Sequence, residues 1–521
     1  MHSVGGSPLI IILFAAALFF TRMSSAAEPR QITLDFRQIK GPRDTFYKFC
    51  VGSERAGVML REVNQKQLAL AHQELGFQYI RFHGIFHDDM EAYREHDGQP
   101  VYDWSRIDAL YDSFLKIGMK PFIEMSFMPR DLASGHKTVF WWNGNITPPR
   151  DFGRWADFIE AFAQHLTDRY GKDEVRQWYF EVWNEPNLKD FWSSDQTTYF
   201  HLYDVTVAAI KKVDPEYRVG GPATAGIAWI PETIQHCHDQ HIPLDFISTH
   251  TYAVTGFFDA DGKAVNRLST DYNSIAHDVQ HVHREIESST MPGLPLHFTE
   301  WNSSYSPRDP VHDTCLNATF ILDKLKKCQG QLQSMSYWTY SDLFEEAGPP
   351  PAPFHGGFGL LNREGIRKAS FFAYKYLNEL GDQELQNTDA QSWATRHENR
   401  AAILLWDHTL PNQDQPDQVY YLKKHPAAAL EPIPVKISGL PPGRYSLEIH
   451  RTGYESNDAY SAYIDMGRPT KLSPEQLRIL QRLSADQAEQ SEKLIIAPGE
   501  DFLRSIPLRQ NDIVLLTLNP S

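Results

Sequence analysis

The sequence predicts an α/β fold, a (β/α)8 TIM barrel with a C-terminal antiparallel β-sandwich domain, and three observations carry that prediction. From residue 47 to residue 342, short apolar or β-branched runs alternate with longer amphipathic stretches. The runs end in polar or aromatic clusters (His83, Asn184-Glu185, His250, Glu300, Asp342), as barrel strands do at the face that carries chemistry. After residue 362 the pattern becomes alternation punctuated by Pro and Gly, which reads as antiparallel strands packed in two layers.

The strand candidates are 47–52, 79–86, 120–128, 178–183, 218–223, 245–252, 296–301 and 334–341. Between them lie helical stretches such as 61–75, 105–117, 152–170, 197–213, 273–287 and 311–328. The barrel is expected to span 46–362 and the sandwich 363–521. The second part opens with a helix over 369–380 and continues in strand-like runs at 401–406, 419–422, 435–437, 445–450 and 512–518. Ser473-Pro474-Glu475-Gln476 offers an N-cap, Pro at N1 and Gln at N3, so a helix near 473–492 interrupts the sandwich. Segment 28–45 precedes the barrel, and its run 31–35 is a candidate edge strand for the sandwich.

At 521 residues the chain is too long for one ordinary core. Its formal net charge of -16 argues against nucleic acid or an anionic membrane surface as partner, because both require clustered Lys and Arg. The apolar run 9–20 is too short for a bilayer core of ~30 Å. With Ser25-Ala26-Ala27 behind it, the run reads as a signal peptide (1–27) cleaved before Glu28, and the mature protein as secreted or periplasmic. Of the four cysteines, Cys315 and Cys328 fall on one helix roughly 20 Å apart, beyond disulfide reach. Cys50, Cys237, Cys315 and Cys328 are therefore expected as buried free thiols. No Cys/His cluster points to a metal, and no cofactor is implied.

The chemistry is concentrated in two places. In Trp178-Tyr179-Phe180-Glu181-Val182-Trp183-Asn184-Glu185-Pro186-Asn187, a strand ends at Asn-Glu-Pro, where proline stops it. In His297-Phe298-Thr299-Glu300-Trp301-Asn302 a second Glu ends the seventh strand. Strands four and seven face each other across a small barrel, so Glu185 and Glu300 can converge on one bond. Glycoside hydrolysis needs such a pair, one carboxyl protonated and one ionised, and a retaining enzyme keeps them about 5–5.5 Å apart. Asn184 is placed to hold the sugar's 2-hydroxyl. Repulsion from Glu300 is expected to keep Glu185 protonated.

Phe-Glu-Val-Trp-Asn-Glu-Pro-Asn at 180–187 and Phe-Thr-Glu-Trp-Asn at 298–302 resemble glycoside hydrolase family 39, which holds β-xylosidases and α-L-iduronidases. The resemblance extends through Arg81-Phe82-His83-Gly84-Ile85-Phe86, Ser126-Phe127-Met128-Pro129, Thr249-His250-Thr251-Tyr252 and the run 337–346, covering 79 to about 362; the sandwich is also like that of bacterial members. It implies Glu185 as acid/base and Glu300 as nucleophile. It further implies His83, Asn184, His250, Tyr252 and Tyr305 as contacts of the first sugar, Trp338 as its aromatic wall, Glu345 and Glu346 as hydroxyl binders, and Phe140 at the entrance. The substrate is expected to be a xylo-oligosaccharide, cleaved from its end because the loops 130–150 and 344–358 are long enough to close a pocket. Asp342, Glu345 and Glu346 would repel a uronate, although Arg130 and Lys137 lie on the third loop. In the sandwich, Trp406, Tyr420 and Tyr445 could form a carbohydrate platform, but alternation explains them as core.

Overall fold

The computed structural model describes residues 29–259 and 261–521; the expected signal peptide lies outside them. Eight parallel strands form a closed barrel in chain order. They are β1 (Cys50–Gly52), β2 (Tyr79–Phe82), β3 (Lys120–Met125), β4 (Tyr179–Val182), β5 (Arg218–Thr224), β6 (Phe246–Tyr252), β7 (Leu296–Asn302) and β8 (Ser334–Tyr337). The circle closes where Tyr337 of β8 pairs with Val51 of β1. Most of these strands are shorter than the apolar runs that announced them. Phe46–Lys48 forms a 3-10 turn ahead of β1. Beyond β2, Gly84 turns the chain away at φ +68°, so His83 stands at the strand's mouth.

A helix of ten residues or more follows each strand: Glu62–Leu75, Ser105–Lys116, Phe152–Tyr170, Gln196–Val213, Ile230–Gln240, Ser274–Glu287, Cys315–Cys328 and Ala369–Asn378. Phe152–Tyr170 shows why such segments fold as they do. Asp151 caps the amides of Gly153 and Arg154, and Trp155, Phe158, Ile159, Phe162 and Leu166 form one buried stripe at helical spacing. Ile230–Gln240 escaped the periodicity reading. Its stripe is only Ile230, Ile234 and Cys237, set among polar residues, yet Pro231 in its first turn marks the start. The helix Ala369–Asn378, beyond the boundary expected at 362, buries Phe371, Phe372, Tyr374 and Tyr376 in the barrel's outer core.

Inside the barrel, the inward residues stack in layers. Phe122, Tyr179, Phe246 and His297 make an aromatic floor, in which Phe122 and Tyr179 stack at 4.9 Å. Two residues further along, the same strands carry Glu124, Glu181, Ser248 and Thr299, all buried.

The sandwich pairs two sheets. The smaller has Ile433–Ser438 at its centre, with Phe502–Ile506 antiparallel on one side and Ile32–Asp35 parallel on the other. The larger is antiparallel and runs Ile39–Pro42, Gln383–Leu385, Ser392–His397, Arg400–Trp406, Ile513–Pro520, Gly443–Thr452, Gln490–Ile496. Arg400–Trp406 explains its unbroken apolar run, because both faces of its sheet are covered. Ala401, Ile403 and Leu405 face the smaller sheet, while Ala402, Leu404 and Trp406 join the core shared with the barrel. The run 419–422, read as a strand, instead ends a helical turn, Asp417–Tyr420. Pro416 opens this turn and its amide partners are local. The inserted helix is Pro474–Leu483, with the Ser473/Gln476 capping box in place. It stops well before 492, because Gln490–Ile496 alternates polar and apolar residues and pairs with Gly443–Thr452.

All four cysteines are free, three of them buried and Cys315 half-buried. Burial pushes the thiols of Cys50, Cys237 and Cys328 up to about 12.

The shared sheet yields a stability prediction. Leu404 is fully buried on its barrel-facing side. Leu404→Ala should cost about 2–5 kcal/mol, through lost transfer energy plus a cavity, and lower the thermal midpoint of the whole chain. An unchanged midpoint in differential scanning calorimetry would show that this face carries no load.

Candidate active site

The site is built on an ionic layer just above the aromatic floor. Arg81 of β2 is fully buried, and its guanidinium reaches four partners. Nε donates to Glu181 at 2.6 Å, Nη1 to Glu300 at 2.7 Å, and Nη2 to the Asn184 side-chain oxygen at 2.9 Å; Glu124 lies 3.0 Å away. Glu181 completes its bonding by accepting from Thr299 at 2.8 Å. Burial alone would lower the Arg81 pKa, but Glu181, Glu124 and Glu300 outweigh it and raise it.

Glu300 reaches the interior because β7 breaks register. His250 pairs with Glu300 and Thr249 with Phe298, so the pairing slips by one residue between them. Such a slip changes which side chains face inward. Thr299 and Glu300 both turn into the barrel, toward Glu181 and Arg81, while Trp301 packs outside against Phe320. Glu185 enters by another irregularity. Trp183 and Glu185 adopt left-handed backbone, at φ +73° and +46°, and the Glu185 amide donates to the Ala223 carbonyl at 2.8 Å. Strained φ values of this kind concentrate at functional sites.

One oxygen of Glu185, one of Glu300 and a ring nitrogen of His250 lie within 4.8 Å of one another. That is the close class of carboxylate pairs, not the ~6.5–9.5 Å that leaves room for a water. His250 Nδ1 is 2.9 Å from Glu185 and 3.6 Å from Glu300. Burial, reinforced by Arg81 and His83, lowers the His250 pKa well below its usual value, so this imidazole is neutral. Burial first, and Glu300 second, raise the Glu185 carboxyl well above the ordinary carboxylate range. Repulsion was the cause expected from sequence; desolvation is the larger one. Tyr252 donates to the second oxygen of Glu300 at 2.6 Å, so Arg81 and Tyr252 together fix that carboxylate's plane.

Around this pair the remaining candidates take different places. Burial would lower the His83 pKa, but Glu124, 2.6 Å from Nδ1, and Glu346, 3.3 Å from Nε2, raise it well above the usual value. Burial pushes Glu346 up to about 7. Trp338 is buried, with its ring 4.8 Å from His83 and 5.6 Å from the Arg81 guanidinium. Gly52 makes room for it, because a Cβ there would lie 2.3 Å from the indole. Phe140 stacks on His83 at 5.6 Å. Tyr305 stands at the rim, half exposed, with its ring 6.3 Å from Tyr252.

Glu345 points elsewhere. Arg61 donates to it at 2.5 and 3.1 Å and Arg55 at 3.3 Å, so its carboxylate ties a loop and is not available to a sugar hydroxyl. Asp342 is likewise consumed, 2.7 Å from Lys368 and accepting from Gly359. Sequence reasoning left out Arg81, Glu124 and Glu181. The signal was available in strand parity, since Tyr79, Arg81 and His83 alternate on the face that points inward. The group His83, Glu124 and Glu300 has the spacing of a metal site, but here the Arg81 guanidinium is its cation.

The sequence profile of the family described as glycosyl hydrolases family 39 matches residues 30–497. The chain is 40% identical over 463 residues to a β-xylosidase of Caldicellulosiruptor saccharolyticus, covering 87% of this chain and 91% of the relative. Among solved structures, a monomeric β-xylosidase from Caulobacter crescentus CB15 is 50% identical with a TM-score of 0.92, covering 94% of this chain and all of that one. A family 39 enzyme from Xanthomonas axonopodis pv. citri is 48% identical with a TM-score of 0.93, covering 96% of this chain and 99% of that one. With the paired carboxylates seated just past β4 and on β7 of the closed barrel, the chain belongs to glycosyl hydrolases family 39 and is a glycoside hydrolase.

Proposed function

We propose that the enzyme is a retaining exo-acting β-xylosidase that releases β-D-xylose from xylo-oligosaccharides, with Glu300 as nucleophile and Glu185 as acid/base. The observation that carries this reading is the close carboxyl pair in which Glu185 is pushed toward its protonated form. In the first step a Glu300 oxygen attacks the anomeric carbon while the Glu185 proton passes to the departing oxygen. Arg81 and Tyr252 hold Glu300 in place throughout, and Asn184, its oxygen engaged by Arg81, keeps its amide nitrogen for the sugar's 2-hydroxyl. Once Glu300 is esterified its charge is gone. The Coulombic part of the Glu185 shift goes with it, and Glu185 can accept a proton from the incoming water.

The contact between the two long loops supports exo action. The Trp141 amide donates to the Glu346 carbonyl at 2.8 Å, joining loop 130–150 to loop 344–358. The neutralised Glu345 and Asp342 weaken the repulsion argument against a uronate, but the cations of the third loop are also engaged. Lys137 donates to the Lys189 carbonyl at 2.7 Å, and Arg130 lies 3.8 Å from Asp88. The xyloside reading is favoured by similarity to the two β-xylosidases over nearly the whole chain. We also propose export, on the strength of the apolar run 9–20 and the small residues Ser25-Ala26-Ala27.

A panel of aryl glycosides tests the sugar. The β-D-xyloside should show a much higher kcat/KM than the β-D-glucoside or the α-L-iduronide; equal turnover of the iduronide removes the xyloside assignment and leaves the mechanism standing. Glu300→Gln should retain less than about a tenth of the wild-type rate, since a tenth is only ~1.4 kcal/mol of barrier and covalent catalysis supplies far more. A folded variant above that rate places the nucleophile elsewhere. Glu185→Ala should devastate hydrolysis of xylobiose but spare the first step on dinitrophenyl xyloside, whose leaving group needs no proton. A burst should appear, and azide should restore turnover with a β-xylosyl azide product. Equal losses on both substrates without azide rescue mean that Glu185 is not the acid.

A further inference from the structure

Of the three aromatic residues that could have formed a carbohydrate platform in the sandwich, Trp406 and Tyr445 are buried in cores. Tyr420 is not. It sits half-buried on the turn Asp417–Tyr420, in the wall of a cleft of about 420 Å³ between barrel and sandwich. We infer that this cleft is a second saccharide site, distinct from the catalytic pocket, which takes a neutral oligosaccharide of the xylo-oligosaccharide class.

The lining has the two components that sugar recognition needs, flat apolar faces for C–H surfaces and neutral donors and acceptors for hydroxyls. Tyr420 and His425 stack at 3.9 Å and 12°, making a two-ring slab whose His425 member is exposed. Tyr454, half-buried, supplies a further ring. Asn412, Gln510 and Ser461 supply amides and a hydroxyl. Tyr421, 3% exposed, forms part of the floor of the same cleft.

Charge argues for a neutral occupant. Lys424 is spent on Glu455 and on Asp465, 2.9 Å away. Asp458 caps the helix Ala459–Asp465 and is held in the protein, and Lys423 stands at the exposed rim. The volume lies in the ~300–1,000 Å³ range of small-molecule sites. Position adds a reason. The barrel contributes Thr314 and Cys315, the start of the helix after β7. Barrel helices begin at the face where strands end, so this part of the lining lies toward the same face of the barrel as Glu185 and Glu300.

The test uses full-length Glu300→Gln protein, titrated with xylotetraose by isothermal calorimetry. Two sites are expected. Adding Tyr420→Ala should remove one of them or weaken it at least about ten-fold. Asn412→Trp, which fills the exposed mouth without deleting a buried group, should do the same if Tyr420→Ala folds poorly. Hydrolysis of an aryl β-xyloside by the single variants Tyr420→Ala and Asn412→Trp should stay at the wild-type level. One site, insensitive to both changes, overturns the inference. One site that both changes abolish upholds the cleft and instead removes the catalytic pocket's claim to this sugar, so the two readings fail separately.

Discussion

A guanidinium entirely out of water organises the catalytic face. Desolvating Arg81 is costly, and the cost is offset only because Glu181, Glu124, Glu300 and Asn184 all meet it at hydrogen-bond distance. Each partner thereby acquires a fixed position. Loss of one member from such a network typically costs about 3–5 kcal/mol, because an uncompensated charge stays behind. The geometry of the nucleophile and of the amide beside the acid both trace back to this one group, carried on a strand of four residues.

The layer beneath makes that arrangement possible. With Phe122, Tyr179, Phe246 and His297 filling the lower barrel, water is kept from the ionic layer and its hydrogen bonds act in a low-dielectric medium. The same dryness explains why Glu185 holds its proton more through desolvation than through repulsion. Two pieces of backbone irregularity then aim the carboxyls, the register slip before Glu300 and the left-handed turn at Glu185. A glycine at 52 is the matching concession on β1, where the indole of Trp338 occupies the space of a side chain.

Much of this could be read from residues alone, for physical reasons. Strands covered on both faces read as apolar runs, and amphipathic helices such as Phe152–Tyr170 declare themselves by period and cap. The Ser473/Gln476 capping box is local, so four letters determine it. Glu185 and Glu300 stand out because a carboxyl at the end of a bulky strand is rarely placed there for packing. What escaped the reading depends on contacts distant in sequence. Glu345 and Glu346 are neighbours of one type, yet Arg55 and Arg61 from another loop take the first and His83 the second. Arg81 looked like part of a motif, and only the convergence of four strands reveals it as a hub. The run 419–422 has the composition of a strand, but Pro416 and the cleft around it make it a turn.

The strand Ile32–Asp35 has a consequence for the order in which this molecule can be completed. Its parallel partner is Ile433–Ser438, and the Ser438 side chain bonds to Leu34 across 404 positions of sequence. During synthesis the barrel's strands all emerge long before that partner exists. The earliest described strand must therefore wait, with Ile32 and Leu34 unburied, until nearly the whole chain has left the ribosome. A slow, late docking of the leading end onto the trailing domain is built into the connectivity, and until it occurs one edge of the small sheet stays open to strands of other molecules.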